Sequence, residues 1–311
     1  MTTHLSVVIA TLNSAQNIER TLAAVQAAVS ETGMTTEIIV VDDGSVDETW
    51  QILLKLTQLF EAPVELKAIR LQKNVGQHAS LLCGLRASSG RYIVTLDDDL
   101  QNDPAEIPAA LVHLIASGMD AVIISYETFE KSFVRILGSR IIQFMIKSVF
   151  RPPPGITSSP FRIMKQSVVN QISATSKSRP FITGELFLAT SLIANFSGIH
   201  KKRISGSSNY KLRQLLTLCS TIFFSYSLKP VFASIKASFV LALSLFFWGT
   251  YVVINQMGRG ETVPGYASTM IIISIIGASI LLVLGLVLKS LTIALMDLQK
   301  PSQFNIAERT F

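Results

Sequence analysis

Residues 37–49 have the sequence EIIVVDDGSVDET, in which an apolar run leads directly into a cluster of acidic residues. Short runs rich in β-branched residues are typical of buried strands. The arrangement recurs at residues 92–103, where YIVTL precedes DDDLQND. In both places, therefore, acidic side chains are expected at the carboxyl end of a strand.

Strand and helix patterns alternate through the first hundred residues of the chain. Strands are predicted at 5–11, 37–41, 64–70 and 92–96, and helices at 17–29, 48–60 and 77–87. This alternation is typical of an α/β fold with a mostly parallel sheet and flanking helices. Such sheets bind ligands beyond the carboxyl ends of their strands, so the two acidic clusters mark the candidate site.

The composition divides the chain into two parts. Of its 311 residues, 49% are hydrophobic and 15% are charged, whereas about 25% charged residues is usual in soluble proteins. Charges occur at ordinary density in residues 1–213 but almost vanish in residues 214–288. We therefore predict a soluble domain at 1–213, followed by membrane segments.

Two uncharged stretches, at about 237–257 and 266–288 within residues 231–290, are long enough to cross a bilayer as helices. A crossing takes about 20 residues, and runs of this length rarely form buried helices of a soluble core. The polar sequence MGRGETVPG separates the two stretches and predicts a turn. Together they predict a transmembrane hairpin.

Basic residues lie at both ends of the predicted hairpin. Lys229 and Lys236 precede it, and Lys289 and Lys300 follow it, whereas the turn contains one arginine beside a glutamate. The tendency of basic residues to stay inside places the N-terminal domain and the tail, 291–311, in the cytoplasm. Residues 214–230 are too short to cross and read as an interfacial helix, with a buried helix of the domain as the alternative.

The net charge of +6 does not indicate a nucleic-acid-binding protein. Its basic residues are not interleaved with aromatic residues along a stripe, as such a surface requires. Several instead precede the apolar region, which suits an anionic membrane or a phosphate-bearing lipid. Cys83 and Cys219 are far apart and predict neither a disulfide framework nor a zinc site.

The second acidic cluster offers ligands for a divalent cation. Asp97, Asp98 and Asp99 are consecutive, and such crowding of carboxylates is unfavourable without a cation. Asp97 and Asp99, with the amide oxygen of Gln101, supply hard oxygen ligands for Mg²⁺ or Mn²⁺, and diphosphate oxygens can complete the shell. Capping of the following helix requires one acid and does not explain three.

Capping remains an alternative in the first acidic cluster. Asp42 and Asp47 both precede a predicted helix, and aspartate is a favourable cap. The histidines His78 and His113 are expected on ordinary helix surfaces, and neither is assigned a role.

Four segments together resemble a known family: VVIATLNSAQNI, EIIVVDDGSVDET, NVGQHASLLCGLRASSGRYIVTLDDDLQNDPAEIP and RISGSSNY. They look like family 2 glycosyltransferases with the GT-A fold. More narrowly, they resemble the polyprenyl-phosphate glycosyltransferases, which include dolichol-phosphate mannose synthase. The likeness runs in order along nearly the whole chain and includes the C-terminal helix pair and the tail sequence LQKPSQFNI.

The resemblance implies a metal-dependent enzyme that transfers a sugar from a nucleotide donor to a membrane polyprenyl phosphate, undecaprenyl or dolichyl, with inversion. The expected setting is the cytoplasmic face of a bacterial inner membrane, in the building of cell-envelope polysaccharide. The expected partners are the nucleotide sugar, the polyprenyl phosphate and the membrane. The oligomeric state is left open, with a homo-oligomer among the alternatives.

The resemblance also assigns roles to individual positions. The metal ligands it implies are Asp97, Asp99 and Gln101. The donor-binding residues it implies are Thr11, Asp42, Asp43 and Asp98. The residues it implies for the acceptor phosphate are Arg162, Arg203, Ser208 and Tyr210. Arg203 is grouped with Asp97 and Asp99 as catalytic, with a plain surface charge as its alternative.

The chain departs from the family pattern at three places, and one of them is Asn209, where relatives usually carry a lysine. Leu12 and Ser14 stand where close relatives carry an aromatic residue and a glutamate that meet the nucleobase, so the base is left open. Residues 155–160 lack the acidic residue that relatives often place before the F-R-[LI]-M sequence. Glu185 is the nearest remaining acid, and the catalytic base, if one is used, is left open.

Two other functions compete with this one. A processive polysaccharide synthase of the same family is disfavoured, because neither Trp50 nor Trp248 lies in a Q-x-x-R-W sequence. A non-catalytic, nucleotide-binding membrane scaffold is the third alternative, and the intact acidic cluster argues against it.

Overall fold

A computed structural model of the chain describes residues 4–125, 133–175, 177, 179–198, 265–298 and 304–311, with scattered single positions between 222 and 251. The chain divides into two compact units. The first comprises Met1–Leu215 and Lys300–Phe311, and the second comprises Leu216–Gln299. The C-terminal tail therefore belongs to the same unit as the N-terminal domain.

The described strands and helices alternate along the first unit. The strands are β1 (Leu5–Thr11), β2 (Thr36–Asp42), β3 (Val64–Leu71), β4 (Tyr92–Asp97), β5 (Ala121–Ser125), β6 (Arg162–Lys165), β7 (Ile193–Ser197) and β8 (Ile306–Arg309). The helices of this unit are α1 (Ile18–Ser30), α2 (Thr49–Thr57), α3 (Gln77–Ala87), α4 (Ile107–Ser117), α5 (Phe133–Phe150), α6 (Gln166–Ser173) and α7 (Ile182–Ala189), with a 3-10 turn at Pro104–Glu106.

The strands form one sheet in the order β7-β5-β6-β4-β1-β2-β3-β8. Strands β4, β1, β2 and β3 are parallel, and β5 is parallel to β7. Strand β6 is antiparallel to β4 and β5, between which it lies. The prediction of an α/β fold with a mostly parallel sheet is thus confirmed.

Helices cover both faces of the central strands, which explains why every residue of β1 and β2 is buried. On one face, Val7 and Ile9 share a core cluster with Leu22 of α1 and Leu53 of α2. On the other face α3 lies very close to β1, because a Cβ at Gly84 would fall 2.4 Å from Val8 Cγ1. The two faces hold the sheet rigid beneath its loops.

Gly90 precedes β4 where two backbones meet, which makes a substitution there informative. A Cβ at this position would lie 2.7 Å from Ser6 N and 2.8 Å from Leu5 C. Backbone atoms cannot move aside as a side-chain end can, so Gly90→Ala is expected to lower the free energy of unfolding by about 3 kcal/mol.

Thermal denaturation of the full-length protein in detergent measures this change. Gly118→Ala is the control, since no atom lies within 4 Å of its Cβ position and only its φ of +68° opposes the change. Its cost should be about 1 kcal/mol. Equal melting temperatures for the two variants would contradict the close approach at Gly90.

The C-terminal tail supplies the edge strand β8, which pairs antiparallel with β3. The pairing extends at both ends, through Gln72 N donating to Asn305 O at 2.9 Å and Thr310 N donating to Ala68 O at 3.1 Å. The last residue adds a cation–π contact, with Lys67 Nζ 5.4 Å from the centre of the Phe311 ring. The tail is thus fastened to the domain along a whole strand.

In the second unit the structure describes one long helix, α8, at Tyr266–Leu298. Its segment Ile275–Leu295 is long and apolar enough to cross a membrane. Helix α8 begins where the second transmembrane helix is predicted to begin and ends at Leu298 rather than 288. Most of the predicted first transmembrane helix and of the interfacial helix 214–230 lies outside the described residues.

Candidate active site

The two acidic clusters meet at the carboxyl end of β1. Thr11, the last residue of β1, pairs with Asp42 at the end of β2. On the other side of β1, Ala10 pairs with Asp97 at the end of β4. The pairing of the strands therefore brings together acids that are far apart in the sequence. They meet at the edge where parallel sheets bind ligands.

Asp98 connects the acidic loop to β1 and α1. Its Oδ2 accepts a hydrogen bond from Thr11 Oγ1 at 2.6 Å and a short one from Ser14 Oγ. Its backbone oxygen accepts from Thr21 Oγ1 at 2.8 Å. Burial raises the pKa of Asp98, and these hydroxyl groups oppose that rise. Asp98, the middle aspartate of the three, is therefore bound by other residues of the domain, and the hydroxyl groups of Thr11 and Ser14 both donate to it.

The surroundings of Asp97 strongly disfavour its ionised form. Burial, together with the neighbouring carboxylates of Asp99 and Asp98, raises its pKa to about 7. Two groups oppose this rise: the Arg162 guanidinium and Gln77, whose Nε2 donates to Asp97 Oδ1 at 2.6 Å. Near neutral pH, Asp97 is therefore poised between its two protonation states, and a bound cation would favour the ionised one.

Asp99 and Gln101 lie together in the loop that follows β4. Gln101 N donates to Asp99 Oδ1 at 3.1 Å, and Gln101 Nε2 makes a short contact with Asp99 Oδ2. Leu100 between them has a φ of +53°, which folds the loop back on itself. The amide nitrogen of Gln101 is thus turned toward Asp99, and its oxygen remains available as an acceptor.

The donor set at this loop fits Mg²⁺ or Mn²⁺. Across the described ranges, no three acidic, histidine or cysteine side chains are grouped as a closed metal site. Two carboxylates and one amide oxygen instead suit an open site, whose remaining ligands come from substrate phosphates. The raised pKa of Asp97 points the same way, since a divalent cation relieves the repulsion among the three carboxylates.

Asp43 and Asp42 differ in what they contact. Asp43 accepts hydrogen bonds from Val75 N at 2.8 Å and Gly76 N at 2.9 Å, so both of its oxygens anchor the loop before α3. Burial raises the pKa of Asp43, and these bonds lower it. Asp42 uses Oδ1 to accept from Ser45 N at 2.9 Å, whereas its buried Oδ2 has no hydrogen-bond partner among the described residues.

Arg70 lies beside Asp42 at the carboxyl ends of the strands. Its Nε lies 3.7 Å from Asp42 Oδ2, and its guanidinium lies 5.7 Å from the centre of the Trp50 ring. Leu12 is 41% exposed on the neighbouring loop. A buried carboxylate oxygen without a hydrogen bond is unusual, so Asp42 Oδ2 is a candidate acceptor for a group that the described residues do not supply.

The capping alternative applies to Asp47 and not to Asp42. Asp47 Oδ1 accepts from Thr49 N at 3.1 Å and from Thr49 Oγ1 at 2.5 Å, at the start of α2. Burial raises the pKa of Asp47, but these bonds outweigh it and the pKa is lowered. Asp42 instead forms a turn with Ser45 and leaves its second oxygen at the strand end.

Arg162 lies inside the domain, with 1% of its surface exposed. Its Nε donates to Pro160 O at 3.3 Å, and its Nη1 donates to Thr183 Oγ1 at 3.3 Å. Burial lowers its pKa to about 10, and Asp97 opposes that fall, so the guanidinium stays charged. The remaining residues assigned to the acceptor phosphate, Arg203, Ser208 and Tyr210, lie outside the described residues.

The histidine expected on an ordinary helix surface at position 78 is in fact half-buried. Its ring lies 5.1 Å from the ring of Phe181, edge to face, and its Nδ1 is buried without a partner among the described residues. Burial, with the Arg162 charge as a second cause, lowers its pKa to about 4, so His78 is neutral near pH 7. The prediction was wrong because the ring of His78 packs against Phe181, a residue far away in the chain.

A cavity of about 190 Å³ lies between α5, α7 and the loop that lacks the acid of the family pattern. Its lining includes Lys147, Ile156, Thr157, Ser158 and Phe187. Glu185, the nearest candidate acid, accepts a hydrogen bond from Thr175 Oγ1 at 2.8 Å.

Sequence reasoning missed Gln77 and Arg70 as parts of the site. Each contacts an acidic residue far away in the chain, and their only signal was their place at the start of a helix or the end of a strand. Position alone does not separate such residues from their neighbours.

Residues 6–173 match the model of the glycosyl transferase family 2. An uncharacterized glycosyltransferase of Synechocystis sp. is 28% identical over 293 residues, which are 92% of this chain and 89% of that protein. The undecaprenyl-phosphate 4-deoxy-4-formamido-L-arabinose transferase of Salmonella enteritidis PT4 is 27% identical over 255 residues, which are 82% of this chain and 77% of that protein.

Among solved structures, the glucosyl-3-phosphoglycerate synthase from Mycobacterium tuberculosis, in complex with Mn²⁺, UDP-glucose and phosphoglyceric acid, superposes with a TM-score of 0.51. The match covers 71% of this chain and 77% of that one, at 17% identity. At this identity the likeness shows a shared fold.

Proposed function

The chain belongs to glycosyl transferase family 2, and from this premise we propose that it transfers a sugar from a nucleotide-sugar donor to a polyprenyl phosphate. The transfer inverts the anomeric centre and takes place at the cytoplasmic face of a bacterial inner membrane. The observation that carries the proposal is the meeting of Asp42 and Asp97 on either side of the end of β1. Transfer of sugar to undecaprenyl phosphate from a panel of donors tests it.

The donor would lie across the carboxyl ends of β2, β1 and β4. The nucleobase suits the end with Asp42, Arg70 and Leu12, where the partnerless oxygen of Asp42 can accept an N–H group. The diphosphate suits the other end, near Asp97 and Asp99. A divalent cation held there by Asp97, Asp99 and Gln101 would neutralise charge on the departing nucleotide diphosphate.

The acceptor supplies its own nucleophile. A phosphate oxygen forms the new bond to the anomeric carbon, and the bond from that carbon to the nucleotide diphosphate breaks with its electron pair. Because a phosphate monoester is already ionised near neutral pH, the chain's task is to orient two reactants and stabilise charge. Arg203, Ser208 and Tyr210 are proposed to bind the acceptor phosphate, as the family pattern implies.

Helix α5 supports a membrane lipid as the acceptor. Its 18 residues include Arg135, Arg140 and Lys147 and no acidic residue. Phe144 on the same helix is 73% exposed. A helix whose sequence is basic and which exposes a phenylalanine suits an anionic bilayer surface. The similarity to a relative that is named an undecaprenyl-phosphate transferase supports the same acceptor class.

The tail strand supports the hairpin. Because β8 pairs with β3 inside the first unit, the chain that leaves this unit at Leu215 returns to it by Lys300. If the segment between them enters the membrane, it must cross an even number of times to bring the tail back to the domain. Two crossings, the second within α8, satisfy this condition.

A reporter fusion checks this topology. Green fluorescent protein fused after Phe311 should fluoresce, and alkaline phosphatase fused there should be inactive, because both would remain in the cytoplasm. Alkaline phosphatase inserted in the turn at 257–265 should be active. An active phosphatase after Phe311 would overturn the hairpin.

A further inference from the structure

Asp97 interacts with side chains from two elements, through a hydrogen bond with one and through charge with the other. From α3, Gln77 Nε2 donates to Asp97 Oδ1 at 2.6 Å. From β6, Arg162 is the direct partner of Thr95 on β4. Because alternate residues of a strand share a face, Asp97 projects to the same face of the sheet as Thr95 and Arg162. The guanidinium and the carboxylate therefore lie on the same side of the sheet.

Arg162 is fixed in this place. Its guanidinium is tied to Pro160 O on its own strand segment and to Thr183 Oγ1 on α7. A buried cation is costly unless an opposite charge lies nearby, and Asp97 is the acidic group whose charge acts on it. The guanidinium of Arg162 therefore interacts with groups inside the domain rather than with solvent.

The charges of the cluster nearly balance around a divalent cation. Asp97, Asp98 and Asp99 carry three negative charges when ionised, and Arg162 supplies one positive charge from beneath. The remainder is two negative charges, which one Mg²⁺ or Mn²⁺ would neutralise. Without Arg162, the three carboxylates would hold an additional uncompensated negative charge in a half-buried loop, which is unfavourable.

We propose that Gln77 and Arg162 are positioning residues for Asp97. Gln77 fixes Oδ1 and so presents Oδ2, which accepts no hydrogen bond from the described residues, to the cation. Arg162 compensates the charge of the carboxylate from within the sheet. The inference rests on the proposed function only in taking Asp97 as a metal ligand.

The test is a titration of the full-length protein in detergent with Mn²⁺, in which electron paramagnetic resonance measures the bound and free metal. Gln77→Leu keeps the size of the side chain and removes its donor, and it should raise the Kd for Mn²⁺ about tenfold, as loss of a partner behind a metal ligand commonly does. Gln51→Leu, the same change at an exposed position of α2, should leave the Kd unchanged.

Arg162 is tested by a pair of variants. Arg162→Met removes a positive charge from beside the carboxylates, so it should lower the melting temperature of the metal-free protein and lower the Kd for Mn²⁺. Arg162→Lys, which keeps the charge, should return both values toward those of the wild type. A purely structural role would lower the melting temperature in both variants and would leave the Kd for Mn²⁺ independent of the charge at position 162. If Arg162→Met does not fold, Gln77→Leu decides the question.

The outcomes separate this inference from the proposed function. A folded Gln77→Leu protein with wild-type affinity for Mn²⁺ would overturn the inference, as would a wild-type protein that binds no Mn²⁺. A wild-type protein that binds Mn²⁺, a Gln77→Leu variant that binds it weakly, and no sugar transfer by either would refute the proposed function and support the positioning role.

Discussion

Replacement of Asp99 by asparagine is expected to lower the rate of sugar transfer about 10³-fold and to leave the melting temperature unchanged. The asparagine keeps the shape of the side chain and loses the negative charge that holds a cation against the donor diphosphate. Removing one preorganised electrostatic contact to a transition state typically costs this much. Asp99 contacts Gln101 within its own loop, so the core does not depend on it.

The rate is measured as transfer to undecaprenyl phosphate in detergent, with the melting temperature recorded alongside. Asp103→Asn is the matched control, because Asp103 lies in the same loop and its side chain accepts from Ala105 N at the start of the 3-10 turn. That variant should transfer sugar at close to the wild-type rate. Full activity of Asp99→Asn, or of the wild type in EDTA, would contradict the metal assignment.

Replacement of Asp42 by asparagine is expected to weaken donor binding by about 10- to 100-fold. The Oδ2 of Asp42 is buried and lacks a hydrogen-bond partner, 3.7 Å from Arg70 Nε. A hydrogen bond to a charged group contributes about 1.5–3 kcal/mol, and every 1.4 kcal/mol is a tenfold change in Kd. An asparagine that presents its nitrogen to the base, or to Arg70, loses that contribution.

Calorimetric titration with the free nucleoside diphosphates measures this change without any transfer. Asp47→Asn is the control, since Asp47 serves the first turn of α2. It should lower the melting temperature and leave nucleotide affinity unchanged. Wild-type affinity in Asp42→Asn would show that the base is recognised elsewhere.

The centre of the fold and the place of the site could be predicted from the sequence. Strands β1 and β2 are continuous apolar runs because both faces are covered, and this local pattern is visible without a structure. The acids at the ends of β2 and β4, the two neighbours of β1, must then meet at one edge of the sheet. This physical rule, rather than any contact, placed Asp42 and Asp97 together.

The outer strands could not be predicted in the same way. Strand β8 has the sequence IAER, which is short and half polar, and it forms because the edge of β3 offers unpaired backbone groups. Strand β6 is antiparallel between two strands that precede it in the chain. Both depend on long-range pairing that no local pattern records.

The division of labour among the acids also required the structure. In the sequence, Asp42 and Asp43 are equivalent neighbours, yet Asp43 anchors two backbone amides and Asp42 keeps a buried oxygen without a partner. The resemblance assigns Arg162 to the acceptor phosphate, and only the structure shows that its side chain is buried, with 1% of its surface exposed. Side-chain direction and burial, which residue type does not specify, make these differences.

One measurement tests the central proposal most directly. The purified full-length protein is incubated in detergent with undecaprenyl phosphate, Mn²⁺ or Mg²⁺, and a panel of uridine, guanosine and thymidine diphosphate sugars, and the lipid is analysed by mass spectrometry. We predict a glycosyl-phosphoryl-undecaprenol from at least one donor, which disappears in EDTA and in Asp99→Asn. A folded protein that binds nucleotide and yields no glycosylated lipid with any donor would contradict the proposal.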